Sequence, residues 1–187
     1  MTSNCVINLS PDKPKVFREI WRVLKDHGRT VIADIVADQE VPPAMRADGQ
    51  LWGECISGAL TEEAFLAALE RAGFYGVSIM QKTFWREVEG CRFYSVTARG
   101  YKFEKQAGCS YIGQYAVYLG PLKAAIDEEG HMFPRGSHVE VCTDTAAKLS
   151  RAPYAGSFAI VDGPTGHASV NSTVAGTAAS AVAGTAA

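Results

Sequence analysis

The chain has 187 residues, of which 47% are hydrophobic and 20% are charged, and its formal net charge at pH 7 is −2. This length suffices for one ordinary domain, alone or with a small appendage. The nearly neutral charge argues against a surface that binds nucleic acid or an anionic membrane. No segment approaches the roughly eighteen apolar residues that cross a bilayer, and the N-terminus lacks the features of a signal peptide. We therefore expect a soluble cytoplasmic protein.

Five cysteines are scattered along the chain: Cys5, Cys55, Cys91, Cys109 and Cys142. In a reducing compartment, an odd number of dispersed thiols is more typical of reactive, metal-binding or buried cysteines than of disulfides.

Residues 3–34 indicate the repeating unit of a parallel α/β sheet. Residues 4–9 are mostly apolar, as in a strand that is covered on both faces. Ser10 or Asp12 can then cap a helix. Along this helix the apolar residues recur every three or four positions and form one face: Val16, Phe17, Ile20, Trp21 and Leu24.

The end of this unit places a thiol at the edge of the sheet. Gly28 is positioned to end the helix in the left-handed conformation, and residues 30–35 form the next buried strand, with Asp34 near its carboxyl end. Cys5 lies where the first strand ends. Ligands of open α/β sheets bind outside the carboxyl ends of the strands, so Cys5 is a candidate for chemistry.

The segment after the second strand brings another thiol to the same side of the sheet. Residues 51–59 are predicted to form a tight turn or short helix that carries Cys55 next to Glu54. Thr61 caps the following helix, and Gly73 ends it.

The end of the first domain is predicted to be antiparallel. Residues 77–80 and 93–103 have the composition of strands, and the polar stretch 82–90 joins them. The second segment alternates as a long edge strand does. The domain would then be complete near Phe103.

Two further regions follow. Residues 104–162 are predicted to form a small module rich in β-structure, with strands within 111–118, 138–142 and 157–161 and a helix within 143–151. Residues 163–187 are almost wholly small and have no periodicity that could bury a core, so we expect a disordered tail.

Cys5 and Cys55 are the strongest candidates for chemistry. Either thiol alone is adequately explained as a buried core residue. Two thiols that meet over one pocket suit a soft, thiophilic centre. The chain has no C-x-x-C pair, which argues against a tetrahedral zinc site.

Other candidates carry weaker signals. Asp34 could orient a ligand or could cap the backbone that follows its strand. His131 is expected in a turn rather than at a metal. The remaining cysteines are expected to be structural or surface thiols, with Cys109 exposed because glycine precedes it.

The cysteine-containing segments resemble a known family. SNCVINLSPDKPKVFREIWRVLKDHGRTVIADIVAD, followed by LWGECISGALTEEAFLAALERAGF, is similar to the second half of a bacterial arsenite methyltransferase, a class I enzyme dependent on S-adenosylmethionine. SNCVINLS together with WGECISGAL is the specific part, because it carries both cysteines in their family settings. Later segments, WREVEGCRFYSVTARGYK and GCSYIGQYAVYLGPL with EEGHMFPRG, resemble the end of longer bacterial members.

The resemblance implies a mechanism. Cys5 and Cys55 would be two ligands of trivalent arsenic, whose lone pair attacks the sulfonium methyl of S-adenosylmethionine. The partners would be arsenite or its thiol conjugates and a small thiol or thioredoxin-type reductant, and the role would be arsenic detoxification. Positioning the nucleophile against the methyl donor would supply most of the catalysis.

One departure from the family is important. No G-x-G-x-G segment followed by a helix occurs in the sequence, so the family's cofactor loop has no counterpart here. The acidic residue that holds the ribose and a further arsenic-binding cysteine are missing with it. We therefore expect a C-terminal portion of such an enzyme, with residues 1–103 as the second half of a Rossmann-like class I methyltransferase sheet.

Half a sheet would leave a long apolar strand edge unpaired, which favours aggregation or a partner. We expect that the isolated chain neither binds S-adenosylmethionine tightly nor turns over. Two alternatives remain at this point. The chain could be a non-catalytic module that binds arsenic or another thiophilic ligand, or it could derive from a class I methyltransferase with another small-molecule acceptor, for which both thiols are incidental.

Overall fold

The computed structural model describes residues 1–106 and 108–163. The predicted disordered tail lies outside the described residues, apart from Gly163. The helices in the described part are α1 (Lys13–Val23), α2 (Pro43–Arg46), α3 (Gly49–Gly53), α4 (Glu62–Arg71) and α5 (Thr143–Leu149). The strands are β1 (Thr2–Asn4), β2 (Arg29–Ala37), β3 (Leu60–Thr61), β4 (Tyr75–Val88), β5 (Cys91–Tyr101), β6 (Gln114–Tyr118), β7 (Ala124–Ile126), β8 (Met132–Pro134), β9 (His138–Val141) and β10 (Phe158–Asp162).

The main sheet is mixed, with the order β1-β2-β5-β4 and with β3 beside the end of β2. β1 and β3 both run parallel to β2. β5 runs antiparallel to β2 and to β4. The carboxyl ends of the parallel strands therefore meet at one edge, where the turns that follow β1 and β2 carry the two candidate cysteines.

Helices α1 and α4 cover one face of this sheet, and each begins at the cap that the sequence predicts. The Asp12 carboxylate accepts a hydrogen bond from the Lys15 amide at 3.0 Å, and the Thr61 hydroxyl accepts one from the Ala64 amide at 3.2 Å. The rings of Phe17 on α1 and Phe65 on α4 meet edge to face, with 5.9 Å between their centroids. Because buried aromatic side chains dominate core energetics, this contact helps to fix α1 against α4.

The opposite face of the sheet is covered by the segment that contains α2 and α3. Its core joins Ile35 and Ala37 of β2 to Phe93 of β5, and Met45 and Ile56 pack on them. Two free cysteines belong to the same core cluster, namely Cys55 and Cys91. Cys55 is therefore held by a packed core rather than by a mobile loop.

The prediction for residues 4–9 is wrong in its extent. The strand ends at Asn4, and residues Ile7–Leu9 form a turn of 3-10 helix. Ile7 is buried in the core on the α1 side, so its apolar character reflects a turn that packs under the sheet. The edge strand β1 has only three residues, T-S-N, and the long edge of the described sheet is β4, where Met80, Phe84 and Trp85 are exposed.

The end of α1 also differs from the prediction. The helix stops at Val23, and the left-handed residue in the following turn is His27, with φ of 57°, rather than Gly28. The Gly28 amide donates to the Lys25 carbonyl oxygen at 2.8 Å, and a Cβ on Gly28 would crowd that oxygen. Glycine is needed there for close approach.

The polar stretch 82–90 is mostly strand. β4 and β5 form one long hairpin whose turn is Glu89–Gly90, both with positive φ, 49° and 79°. Such angles are required of a two-residue hairpin turn that matches strand twist. β5 lies between β2 and β4, so the predicted edge strand is internal and β4 is the edge. The outer half of β4 is exposed, which explains its polar composition.

The elements that follow β5 share a hydrophobic core cluster of their own, as the predicted module requires. A three-stranded antiparallel sheet, β10-β6-β9, and the hairpin β7-β8 pack with α5 around Phe133 and Leu149. The module contacts the main sheet through Tyr75, whose hydroxyl donates to the Ala152 carbonyl at 2.8 Å. The Glu128 carboxylate accepts a hydrogen bond from the Gly76 amide at 2.7 Å.

Two observations complete the comparison with the sequence. Cys109 and Cys142 are joined in a disulfide, with their Cα atoms 5.9 Å apart, so the expectation of free thiols is wrong for this pair. None of the described helices combines the length and apolar character that crossing a bilayer requires.

Candidate functional site

Cys5 is the first residue beyond the carboxyl end of β1. Its amide continues the ladder with β2 by donating to the Ala33 carbonyl at 2.9 Å. Its φ is 49°, a left-handed conformation that costs a non-glycine residue about 1–2 kcal/mol. The residue is exposed. Strain of this kind concentrates at functional sites, and here it directs the chain into the turn that precedes the 3-10 helix.

Cys55 follows α3 and adopts the same unusual backbone conformation, with φ of 63°. It is buried, with 9% of its surface exposed. Its thiol donates a hydrogen bond to the Cys5 carbonyl oxygen, with 3.4 Å between sulfur and oxygen. The structure therefore brings the two predicted site residues together, although fifty positions separate them in the sequence.

A buried carboxylate organises the turn after Cys5. Asp34 is 1% exposed. Its Oδ2 accepts hydrogen bonds from the amides of Ile7 at 3.0 Å and Asn8 at 3.3 Å, and its Oδ1 accepts one from the Ile35 amide at 2.8 Å. Of the two roles left open for Asp34, these contacts support capping. Two of the capped amides, those of Ile7 and Asn8, precede Asp34 in the sequence, whereas the prediction concerned the backbone that follows its strand.

Asn8 links this turn to Cys55. Its side chain is buried, and its Nδ2 donates to the carbonyl oxygens of Ile35 at 2.7 Å and Cys55 at 3.2 Å. One side chain thus fastens the turn after β1, the end of β2 and the Cys55 turn to each other. The sequence pattern does not single out Asn8, because its partners are remote in the chain and an asparagine in an apolar run has no distinctive periodicity.

Lys13 and Gly58 complete the support around Asn8. The Lys13 ammonium is almost buried and donates to the Ser10 carbonyl at 3.1 Å. Its pKa is lowered by burial, which outweighs the raising effect of the nearby Asp34 charge. A Cβ on Gly58 would overlap the Asn8 carbonyl oxygen. This position therefore requires glycine so that the two segments can approach closely.

The electrostatic environment keeps both thiols protonated at neutral pH. Partial desolvation of its thiol, together with the negative charge of Asp34, raises the pKa of the exposed Cys5. The same two causes raise the pKa of Cys55, and Cys5 adds to the effect. Burial also raises the pKa of Asp34, against the hydrogen bonds that it accepts from backbone amides. The site is a pair of neutral thiols beside a buried acid, not a preformed thiolate.

The other candidate residues have structural explanations. Glu54 forms an ion pair with Arg86 of β4 and so anchors the end of α3. Cys91 is fully buried and accepts a hydrogen bond from Gln39. His131 lies in a turn closed by Asp127, as predicted, and its Nδ1 is 3.0 Å from the Asp127 carboxylate.

Asp127, Glu129 and His131 also group their ligand atoms closely enough to hold a metal ion. Lysine side chains already form ion pairs with these acids. The Lys148 ammonium is 3.2 Å from Asp127, and Lys105 pairs with Glu129. We therefore interpret this cluster as an ion-pair network and not as a metal centre.

A family model described as a methyltransferase domain matches residues 1–73, and one described as a domain of unknown function, DUF8838, matches residues 105–182. The chain is 33% identical over 174 residues to an arsenite methyltransferase of Aquipseudomonas alcaligenes, covering 86% of this chain and 50% of that protein. It is 34% identical over 171 residues to the human arsenite methyltransferase, covering 86% of this chain and 45% of that protein.

The fold agrees with these relatives. The structure is similar, with a TM-score of 0.54 and 32% identity, to the crystal structure of CrArsM, an arsenic (III) S-adenosylmethionine methyltransferase from Chlamydomonas reinhardtii, over 89% of this chain and 60% of that one. The chain spans about half the length of the curated relatives that it matches. By sequence and by fold, it is a relative of the arsenite methyltransferases.

Proposed function

We propose that this chain supplies the arsenic-binding part of an arsenite methyltransferase, in which Cys5 and Cys55 hold trivalent arsenic. The enzyme would transfer a methyl group from S-adenosylmethionine to the thiol-bound arsenic and so detoxify it. The observation that carries the proposal is the contact at 3.4 Å between the Cys55 thiol and the Cys5 carbonyl. Both turns are tied to the carboxyl end of β2, where α/β sheets bind their ligands.

The chemistry of the donor set supports arsenic over a harder ion. Thiols are soft ligands and select soft centres. Arsenite exchanges each hydroxyl group for a thiol sulfur, and the thiol proton leaves with the hydroxyl as water. Thiols that stay protonated at neutral pH are therefore suited to this exchange, because binding of As(OH)3 then involves no net release of protons.

The described residues fit the methyl donor less well than they fit arsenic. In residues 1–106 and 108–163, no glycine-rich loop connects a strand to a helix, which is the feature that cradles such a cofactor. We therefore derive no step of methyl transfer from this chain. We propose that residues 1–103 correspond to the second half of a Rossmann-like sheet and residues 104–162 to an appended module.

The proposal also includes a location for the chain and a reductant for its thiols. The thiols of Cys5 and Cys55 must be reduced to bind arsenic, which favours a cytoplasmic location and a small thiol or thioredoxin-type reductant. For the isolated chain we predict neither tight binding of S-adenosylmethionine nor turnover. Calorimetry with S-adenosylmethionine tests this prediction, and micromolar binding would contradict it.

Arsenite binding tests the site itself. With Cys109 and Cys142 kept as the disulfide, equilibrium dialysis with arsenic quantified by mass spectrometry should give one arsenic per chain for the unmodified protein. Cys5→Ser and Cys55→Ser should each lose this arsenic, whereas Cys91→Ser, which changes another buried thiol, should keep it. Equal retention by all three variants would overturn the assignment.

A second candidate function is supported by the same lack of a glycine-rich loop in the described residues. The chain would then be a binding protein that sequesters trivalent arsenic without methylating it. Detection of methylated arsenicals by chromatography, in cells that express the chain and lack other methyltransferases for arsenic, separates the two candidates. Resistance without methylated products favours sequestration.

A further inference from the structure

The disulfide between Cys109 and Cys142 lies far from the candidate site. Lys102 donates its amide to the Gly28 carbonyl at 2.8 Å, and the Glu104 amide donates to Asp26 at 2.9 Å. The segment that leads to Cys109 therefore runs beside the start of β2, whereas Cys5 and Cys55 lie near its carboxyl end. Ala33, whose carbonyl oxygen accepts the hydrogen bond from Cys5, lies four residues beyond Arg29 at the start of β2, which corresponds to roughly 13 Å along the strand. Direct exchange between the two pairs of sulfurs is excluded at this distance.

A cleft of about 100 Å³ opens beside this pair of cysteines, between the segment that follows β5 and helix α5. Cys109 is on the exposed side, and Cys142, at the start of α5, is almost buried. Phe103 lines the apolar part of the cleft. The Thr145 hydroxyl is 3.4 Å from the Cys142 sulfur. The pair is thus accessible from a small, partly apolar cavity.

The same cleft contains an acceptor that has no partner. Asp144 lines it and is 7% exposed. Its Oδ1 accepts a hydrogen bond from the Gln106 amide at 3.4 Å, but its Oδ2 is buried without a hydrogen bond among the described residues. An unpaired buried acceptor is costly, so it indicates a ligand that brings a hydroxyl donor into the cleft.

We propose that the reduced Cys109 and Cys142 form a second thiol site for a trivalent metalloid oxyacid of the arsenite type. The two sulfurs would replace two hydroxyl groups of As(OH)3, and the third hydroxyl would donate to Asp144 Oδ2. Two S–H and two As–OH bonds break, two As–S bonds form, and two molecules of water leave. The arsenic stays trivalent throughout.

This site is gated by oxidation. In the disulfide each sulfur is bonded to the other, so neither can bind arsenic. A phosphine can open the pair by taking oxygen from water, which yields two thiols and a phosphine oxide. The site therefore binds only when the module is reduced, and its occupancy does not depend on Cys5 or Cys55.

The test uses the full chain with Cys5→Ser and Cys55→Ser, which removes the first site. The protein is reduced with tris(2-carboxyethyl)phosphine, desalted without oxygen and dialysed against arsenite. We expect one arsenic per reduced chain and none per oxidised chain. Adding Cys109→Ser should abolish binding, adding Cys91→Ser should preserve it, and adding Asp144→Asn should weaken it about tenfold, the effect of one hydrogen bond to a charged group.

Two controls keep the outcome clear. Thiol titration verifies that Cys109 and Cys142 are free after reduction, and circular dichroism verifies that each variant is folded. If Cys109→Ser does not fold, Cys142→Ser takes its place. Absence of arsenic from a folded, fully reduced chain, or equal binding after Cys109→Ser, would overturn the proposal. Either result leaves the Cys5 and Cys55 site unaffected, because that site is absent from this background.

Discussion

The side-chain amide of Asn8 donates a hydrogen bond to the carbonyl of Cys55 at 3.2 Å. The same nitrogen donates to Ile35 at the end of β2. The Cys55 turn is therefore held against the turn that carries Cys5 by a single buried side chain. In metal sites, residues that orient the ligands from behind typically change affinity by about 10–100-fold when they are replaced.

Asn8→Ala should weaken arsenite binding by about 10–100-fold while both thiols remain titratable. The change removes both hydrogen bonds that the Asn8 side chain donates to buried carbonyl oxygens, which should also cost about 1–3 kcal/mol of unfolding free energy. Asn4→Ala is the matched control, because Asn4 is exposed at the end of β1. Equal arsenite affinities for the two variants, measured by equilibrium dialysis, would rule out a positioning role.

Gly58→Ala should disrupt the close approach of the segment after Cys55 to the Asn8 turn. The added methyl group would overlap the Asn8 carbonyl oxygen, and overpacking of this kind costs about 1–3 kcal/mol. Gly53→Ala is the control, since a Cβ there meets no atom within 4 Å. Thermal unfolding should show a lower Tm for Gly58→Ala alone, and a similar loss in Gly53→Ala would contradict the packing described here.

The pH dependence of Cys5 follows from its surroundings. Partial desolvation and the Asp34 charge raise its pKa, so less thiolate is present at pH 7 than for a free cysteine, whose pKa is about 8.5. Alkylation of this exposed thiol by iodoacetamide, followed by mass spectrometry, should therefore have its midpoint above that of free cysteine. Asp34→Asn should shift the midpoint downward, because it removes the negative charge and leaves the desolvation. An unchanged midpoint would show that Asp34 does not act on Cys5.

The contact between the module and the main sheet should contribute to stability. Tyr75→Phe removes the hydroxyl that donates to Ala152, which should lower the unfolding free energy by about 0.5–1.5 kcal/mol. Tyr111→Phe is the control, as Tyr111 is 65% exposed. Urea denaturation measures both, and equal unfolding free energies would mean that this hydrogen bond is replaced by water.

Local signals in the sequence were sufficient for much of the fold. The caps Asp12 and Thr61 and the apolar faces of α1 and α4 were predicted correctly, because capping and helical periodicity depend on residues within a few positions. Three strands of the module, β6, β9 and β10, were located for the same reason, whereas β7 and β8 were not predicted. The outer half of β4 was missed because its side chains face solvent and hide the strand pattern.

Features that depend on distant contacts could not be predicted. The pairing of Cys109 with Cys142 joins residues 33 positions apart, and connectivity cannot be deduced from spacing alone. The two hydrogen bonds that the Asn8 side chain donates depend on partners 27 and 47 positions away. Cys5 and Cys55 were found because their setting resembles a known family, while the structure supplies the contact between them.

Arsenic K-edge absorption spectroscopy measures most directly whether Cys5 and Cys55 hold arsenic. The chain would carry one equivalent of arsenite and keep Cys109 and Cys142 oxidised, so that the second proposed site is closed. We predict two sulfur neighbours and one oxygen neighbour around arsenic in the unmodified chain, and no sulfur-bound arsenic in Cys5→Ser. An arsenic surrounded by oxygen alone, or an unchanged sulfur count in Cys5→Ser and Cys55→Ser, would contradict the proposed function.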